Sequence, residues 1–130
     1  MGHTFTITTT GGYVALTMAG FKGVAPNPLD VETGSAVGGA GTTAQTGDVT
    51  PSMDGELLVT VLTTDAVTGV AINDGFRITD TVPLLSNNNV GAAMAFKIQP
   101  KASTENPEWS WTPASARATA IAAFKTAAKR

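Results

Sequence analysis

Apolar and polar positions alternate along most of this chain. In "HTFTITTT", His3 to Thr10, Phe5 and Ile7 stand against threonines, the period-two pattern of a strand with one packed and one wet face. Gly11 and Gly12 mark a turn, and "YVALTMAGF" follows as a second strand, apolar on both faces as in a doubly covered sheet. "GELLVTVLT", Gly55 to Thr63, predicts a central strand with Leu57, Val59 and Val61 on one face and Leu58, Thr60 and Leu62 on the other. Asp74 and Gly75 separate "GVAIN" from "FRITDTV", a hairpin signal because glycine accepts positive φ. Phe76, Ile78 and Val82 then point one way. In "GAAMAFKIQ", Met94, Phe96 and Ile98 share one face with Lys97 opposite.

Turn-rich pieces join these runs: "GVAPNPLD", "GSAVGGAGTTAQTGD", "LLSNNN" and "PKASTENP". The span from Gly34 to Gly47, dominated by glycine, alanine, serine and threonine, reads as a flexible surface loop or as an extended arm that orders on a neighbour. The last stretch, "SARATAIAAFKTAAKR", has helix-forming composition, and a helix would bury Ile121, Phe124 and Ala128. A strand through Phe124 is the preferred reading, with the final residues as a basic tail.

That preference comes from an internal similarity. The segments "FTITTTGGYVALTMAGFK" and "WSWTPASARATAIAAFK" align with Phe5 on Trp109, Ile7 on Trp111, Ala15 on Ala118, Met18 on Ile121, Phe21 on Phe124 and Lys22 on Lys125. An N-terminal hairpin over residues 3–22 and a similar C-terminal hairpin over residues 107–125 are therefore expected. Two such hairpins suit a pseudo-symmetric sandwich, or one hairpin lent to a neighbouring subunit by strand addition.

The predicted fold is all-β, an antiparallel β-sandwich of immunoglobulin-like or jelly-roll-like type with a long Gly/Thr/Ala-rich loop. At 130 residues it forms one domain, 1–130. Forty-two per cent of residues are apolar and 14% charged, which argues against disorder. A net charge of -2 supplies no cationic field for nucleic acid. Without cysteine there is neither a disulfide framework nor a thiolate site. No segment approaches the roughly eighteen apolar residues of a membrane helix, so a soluble chain without an export signal is expected.

Catalytic chemistry finds little support. The single histidine, His3, lies near the chain start with no carboxylate motif beside it. Ser35, Ser52, Ser86, Ser103, Ser110 and Ser115 lack a nucleophile-elbow context. "INDG" and "LSNNN" read as turns and not as calcium loops, and "GGAGTT" lacks the lysine of a phosphate cradle. No enzyme activity, metal or cofactor is expected. One pair stands out: Trp109 and Trp111 in "WSW" place two indoles on one sheet face about 7 Å apart, either as core or as a glycan-stacking platform.

The succession "NPLDVETG", "GTTAQTGDVTPSMDGELLVTVL", "INDGFRITDTV", "GAAMAFKIQ" and "NPEWSWTPASARATAIAAFK" resembles β-sandwich modules of bacteriophage structural proteins and of bacterial surface or adhesin-like proteins. The resemblance covers most of the chain and offers no catalytic residues. It implies a non-enzymatic virion structural protein located in the phage particle, a capsid decoration or cement protein that stabilises the head. Its partners would be the major capsid protein or other virion proteins and further copies of itself, with no nucleic acid and no membrane. The expected contact regions are Met1 to Thr10, the loop Gly34 to Gly47 and the tail from Thr126, with Met1, His3, Phe5, Lys129 and Arg130 as candidate contact residues. The alternative it implies is a carbohydrate-binding or adhesin-like module of a tail fibre or bacterial cell surface, with Trp109 and Trp111 exposed.

Overall fold

The structure is a computed structural model that describes residues 4–12, 14–65, 68–82 and 90–128. The chain is all-β and β-sandwich-like, and among the described residues no helix forms. Six strands follow in order: β1 Val24–Gln45, β2 Leu57–Thr64, β3 Thr68–Ile72, β4 Arg77–Val82, β5 Gly91–Ile98 and β6 Glu108–Thr126. All ladders are antiparallel and join the strands into one sheet of order β1-β6-β2-β5-β4, with β3 added alongside β6.

β6 organises the sheet. Its C-terminal half lies between β1 and β2, with Ala122 opposite both Glu32 and Val59. Its N-terminal half lies between the end of β1 and β3, with Trp109 opposite both Ala44 and Ile72. Trp109 nevertheless donates its indole N–H to Thr60 Oγ1 at 3.0 Å, and Thr60 is paired with Ile121, a dozen residues further along β6. Flat, that length of strand would span about 40 Å, so the sheet must curl back over its own inner face. The irregular pairing of β6 with β1 around Ser115 lies between the two halves, next to the cis Thr112-Pro113 bond.

The enclosed core follows from alternation. Leu58 and Leu62 of β2, Ala93 and Ala95 of β5, and Trp109, Trp111, Ile121 and Ala123 of β6 are all buried, with Val49 and Phe76 closing the ends. On β5 the small residues face inward and Met94, Phe96 and Ile98 face outward, because the two indoles fill the space that opposing alanines leave. Thr60 and Ser115 are buried with them, and each accepts an indole N–H.

Four expectations need correction. Residues 4–12 and 14–22 form no ladder, so the predicted N-terminal hairpin is absent from the described residues; His3 and Tyr13 lie outside them. Its C-terminal counterpart is one continuous strand, Glu108–Thr126, which settles the question of helix against strand through Phe124 in favour of strand. The span Gly34 to Gly47 is neither loop nor arm over most of its length: Gly34 through Val37 pair with Ala120 through Arg117, and Thr43 through Gln45 with Ser110 through Glu108. Small residues suit this strand because β1 lies so close on β6 that a Cβ on Gly34 would stand 2.9 Å from the Thr119 carbonyl oxygen. Finally, the Asp74 and Gly75 turn forms with both φ angles positive, at 57° and 76°, but its arms do not pair with each other. β3 is taken by β6, where the Asn73 amide donates to the Glu108 carbonyl oxygen and Asn73 Oδ1 accepts from the Glu108 amide, while β4 is taken by β5.

Candidate assembly surface

The face of the sheet turned away from the core is also apolar. Direct cross-strand pairing sets Glu32, Ala122, Val59, Phe96 and Arg77 in one row across five strands, and Gly34, Ala120, Val61 and Met94 in the next. Paired residues of an antiparallel ladder project to the same side, so the charges of these rows, Glu32 and Arg77 in the first and Asp80 opposite Met94 in the second, stand at the margins. Ile98, at the end of β5, is 64% exposed.

The N-terminal segment partly covers this face. Phe21 stacks edge-on against Phe96 with ring centroids 5.4 Å apart, and Ala19 and Phe21 lean over Leu57, Val59, Met94 and Phe124. Phe5, Thr17, Met18 and Gly20 gather around Met94. The segment enters the fold at Gly23, whose carbonyl oxygen accepts the Ala127 amide at 2.8 Å.

Its orientation is the reverse of what hydrophobicity alone would give. Ala15 and Thr17 are half-buried, whereas Val14, Leu16 and Met18 are each 46% exposed. Phe5 and Ile7 are also exposed, at 63% and 47%. Beside this segment a groove of about 490 Å³ stays open on the sheet face, floored by Val59, Val61, Ala120 and Ala122. An isolated chain thus presents a contiguous apolar surface of the kind that marks an interaction site.

A polar latch fixes the margin where β1 leaves this surface. Asp30 accepts the Ser52 amide at 2.6 Å, the Ser52 hydroxyl at 2.9 Å and the Lys125 ammonium at 2.8 Å. The Lys125 hydrogen bond, followed by the Ser52 amide, holds the Asp30 carboxyl down at about 2, and Asp30 in turn raises Lys125. Glu56 is fully buried behind it. Its Oε1 accepts the Met53 amide at 3.1 Å and the Ser52 hydroxyl at 3.4 Å, while Oε2 has no partner among the described residues. Burial first, and then the Asp30 charge, push the Glu56 carboxyl up.

Of the predicted contact residues, Phe5 belongs to the exposed apolar segment; Met1, His3, Lys129 and Arg130 lie outside the described residues. Trp109 and Trp111 are not a glycan platform. They are 0% and 2% exposed, with indole N–H groups donated to Thr60 and to Ser115 at 3.0 and 3.1 Å, so neither ring offers a face to a sugar. Sequence pattern missed the outer groove, although the run Ala118, Ala120, Ala122 beside Val59 and Val61 carried its signal. Among the described residues no cluster of three or more histidine, cysteine or acidic side chains could hold a metal ion. No helix of the described residues is long and apolar enough to cross a membrane. No protein-family model, curated protein or solved structure matches the chain.

Proposed function

We propose that this chain is a non-enzymatic structural subunit that works by burying apolar surface against its neighbours. One observation carries the reading: a sheet whose inner face is closed by a core carries a second apolar face, and the segment lying over that face leaves Val14, Leu16 and Met18 each 46% exposed. A chain that acted alone would bury these residues or replace them with polar ones, since a contiguous exposed apolar patch invites association.

The resemblance of the sequence to phage structural modules supports a particular setting, the capsid, with the chain as a decoration or cement protein on the major capsid protein. Many copies, each contributing a modest binding free energy, would stabilise the particle collectively. The alternative of a glycan-binding module depends on an exposed aromatic platform, and its two tryptophans are in the core.

The test mixes the folded full-length chain with undecorated phage capsids and reads particle mass by mass photometry and symmetry by electron microscopy. Saturable, symmetric addition is expected. Capsids whose mass stays constant at saturating protein would overturn the capsid setting.

A further inference from the structure

We infer that residues 14–22 form a strap hinged at Gly23, which opens away from the outer face and closes on it while the sheet beneath stays folded. The opening is a property of the isolated chain. Its consequence, that the strap sets how much of this face is offered to neighbours, rests on the reading of the chain as a structural subunit.

Three observations carry it. Residues 14–22 belong to no strand, and no hydrogen bond or ion pair between described residues joins them to the sheet. The first backbone tie comes only at Gly23, whose carbonyl oxygen accepts the Ala127 amide at 2.8 Å. What holds the strap down is apolar contact near that end: Phe21 meets Phe96 edge-on, Ala19 and Phe21 lie over Leu57, Val59 and Phe124, and Met18 lies against Met94. Phe21 and Met18 are themselves 37% and 46% exposed, so the anchors stand partly in water. Finally, Gly23 has a φ of +87°, and a Cβ on it or on Gly20 would meet nothing within 4 Å, so open space lies on either side of Phe21.

The sheet beneath does not share this weakness. Leu57 is paired on both sides, with Ile98 and Phe124, and Val59 with Phe96 and Ala122. On the inner face Ala93 and Ala95 are completely buried. A segment with few buried contacts and no backbone hydrogen bonds to its neighbours opens at a far lower free energy than the ladders it covers. Opening wets Leu57, Val59, Met94, Phe96 and Phe124, and the cost of hydrating these apolar side chains draws the strap back.

The absence of cysteine allows a direct test by thiol labelling. Leu57→Cys, 7% exposed beneath the strap, and Ala95→Cys, buried on the inner face, are treated separately with excess aromatic disulfide reagent in dilute solution. A strap that opens by itself makes Leu57→Cys react about a hundredfold faster than Ala95→Cys, whose thiol waits for global unfolding. Adding Phe21→Ala removes the anchor and is expected to speed the Leu57→Cys reaction at least fivefold while the Ala95→Cys rate stays unchanged. Val59→Cys, under the same strap, and Ala93→Cys, on the inner face, repeat the comparison if either first variant fails to fold. Equal rates at the outer and inner positions, or a Phe21→Ala change that alters both alike or neither, would overturn the inference. Failure here is separable from failure of the structural reading: a strap that opens on a chain that never associates sinks only the regulation of assembly, and a chain that associates while Leu57→Cys reacts as slowly as Ala95→Cys sinks only the strap.

Discussion

Trp109 donates its indole N–H to Thr60 Oγ1 at 3.0 Å, and Thr60 passes its own hydroxyl hydrogen to the Ala120 carbonyl oxygen at 2.8 Å. This relay ties the first half of β6 to β2 and back to the second half of β6. It is therefore the point at which the curl of the sheet is held. Trp109→Ala removes a fully buried side chain, and a loss of about 3–5 kcal/mol is expected in urea denaturation. A variant with parental stability would mean that the indole is not in the core.

Thr60→Val keeps the shape and deletes the hydroxyl. The indole N–H then loses its acceptor inside a dry core, and a cost of about 1–3 kcal/mol is expected by the same measurement. The double variant Trp109→Phe with Thr60→Val should cost less than the sum of the two single changes, because no buried donor is left unpaired.

Gly47 ends the strand that sequence pattern reads as a loop. Its φ is +91°, its amide donates to Asn106 Oδ1 at 3.1 Å, and an added Cβ would approach Thr33 Cγ2 to 3.1 Å. Gly47→Ala should cost about 1–2 kcal/mol in thermal or urea unfolding, through positive-φ strain and crowding. A flexible loop at this position would tolerate the change without effect.

The two carboxyls of the latch respond to pH in opposite senses. Asp30 is lowered in the fold, so its stabilising contribution is complete above its ordinary value of 3.8 and is lost as pH falls towards about 2. Glu56 is raised, so stability is lost as pH climbs through and above its ordinary value of 4.5, where the buried group must charge. Glu56→Gln preserves the acceptor for the Met53 amide and should raise the melting temperature at neutral pH, by an amount equivalent to about 1 kcal/mol. That gain should vanish below pH 4.5. Asp30→Asn should do the reverse: destabilise at neutral pH and match the parent near pH 2.

The strands with strong alternation were legible in the sequence. β2 and β5 fall where "GELLVTVLT" and "GAAMAFKIQ" place them, and β6 continues as strand through Phe124 despite its alanine-rich, helix-forming composition. There, pairing with β1 and β2 on both sides outweighs local propensity. Partner choice was not legible. A period-two pattern tells which residues share a face, but not which strand lies alongside or whether any does. Phe5 and Ile7 alternate well and pair with nothing among the described residues, and Asp74 and Gly75 form their turn while β3 and β4 go to different neighbours. β1 was hidden for the opposite reason. From Gly34 to Gln45 it carries Val37 as its one large apolar residue, and the glycines that suggest flexibility are what permit the close approach to β6 at Gly34.

The same limit applies to the candidate site. The sequence drew attention to Trp109 and Trp111 because they are large and evenly spaced, yet spacing cannot tell a surface platform from a core filler. The alanines at 93, 95 and 123 decide it: small inward residues on facing strands need large ones to fill the space between them. The exposure of Val14, Leu16 and Met18 beside the half-buried Ala15 and Thr17 could be seen only in the structure, because the sequence alternation alone would turn the larger residues inward.

The central claim is that the outer face and its N-terminal segment form an assembly surface. Sedimentation velocity of the full-length chain across a wide concentration range, beside Leu16→Asp, tests it most directly. The parent should associate reversibly, and the variant should sediment as a folded monomer, because a charge on the outward stripe would have to be desolvated in any contact made there. A parent chain that remains monomeric at every concentration, or a Leu16→Asp chain that associates as the parent does, would contradict the claim.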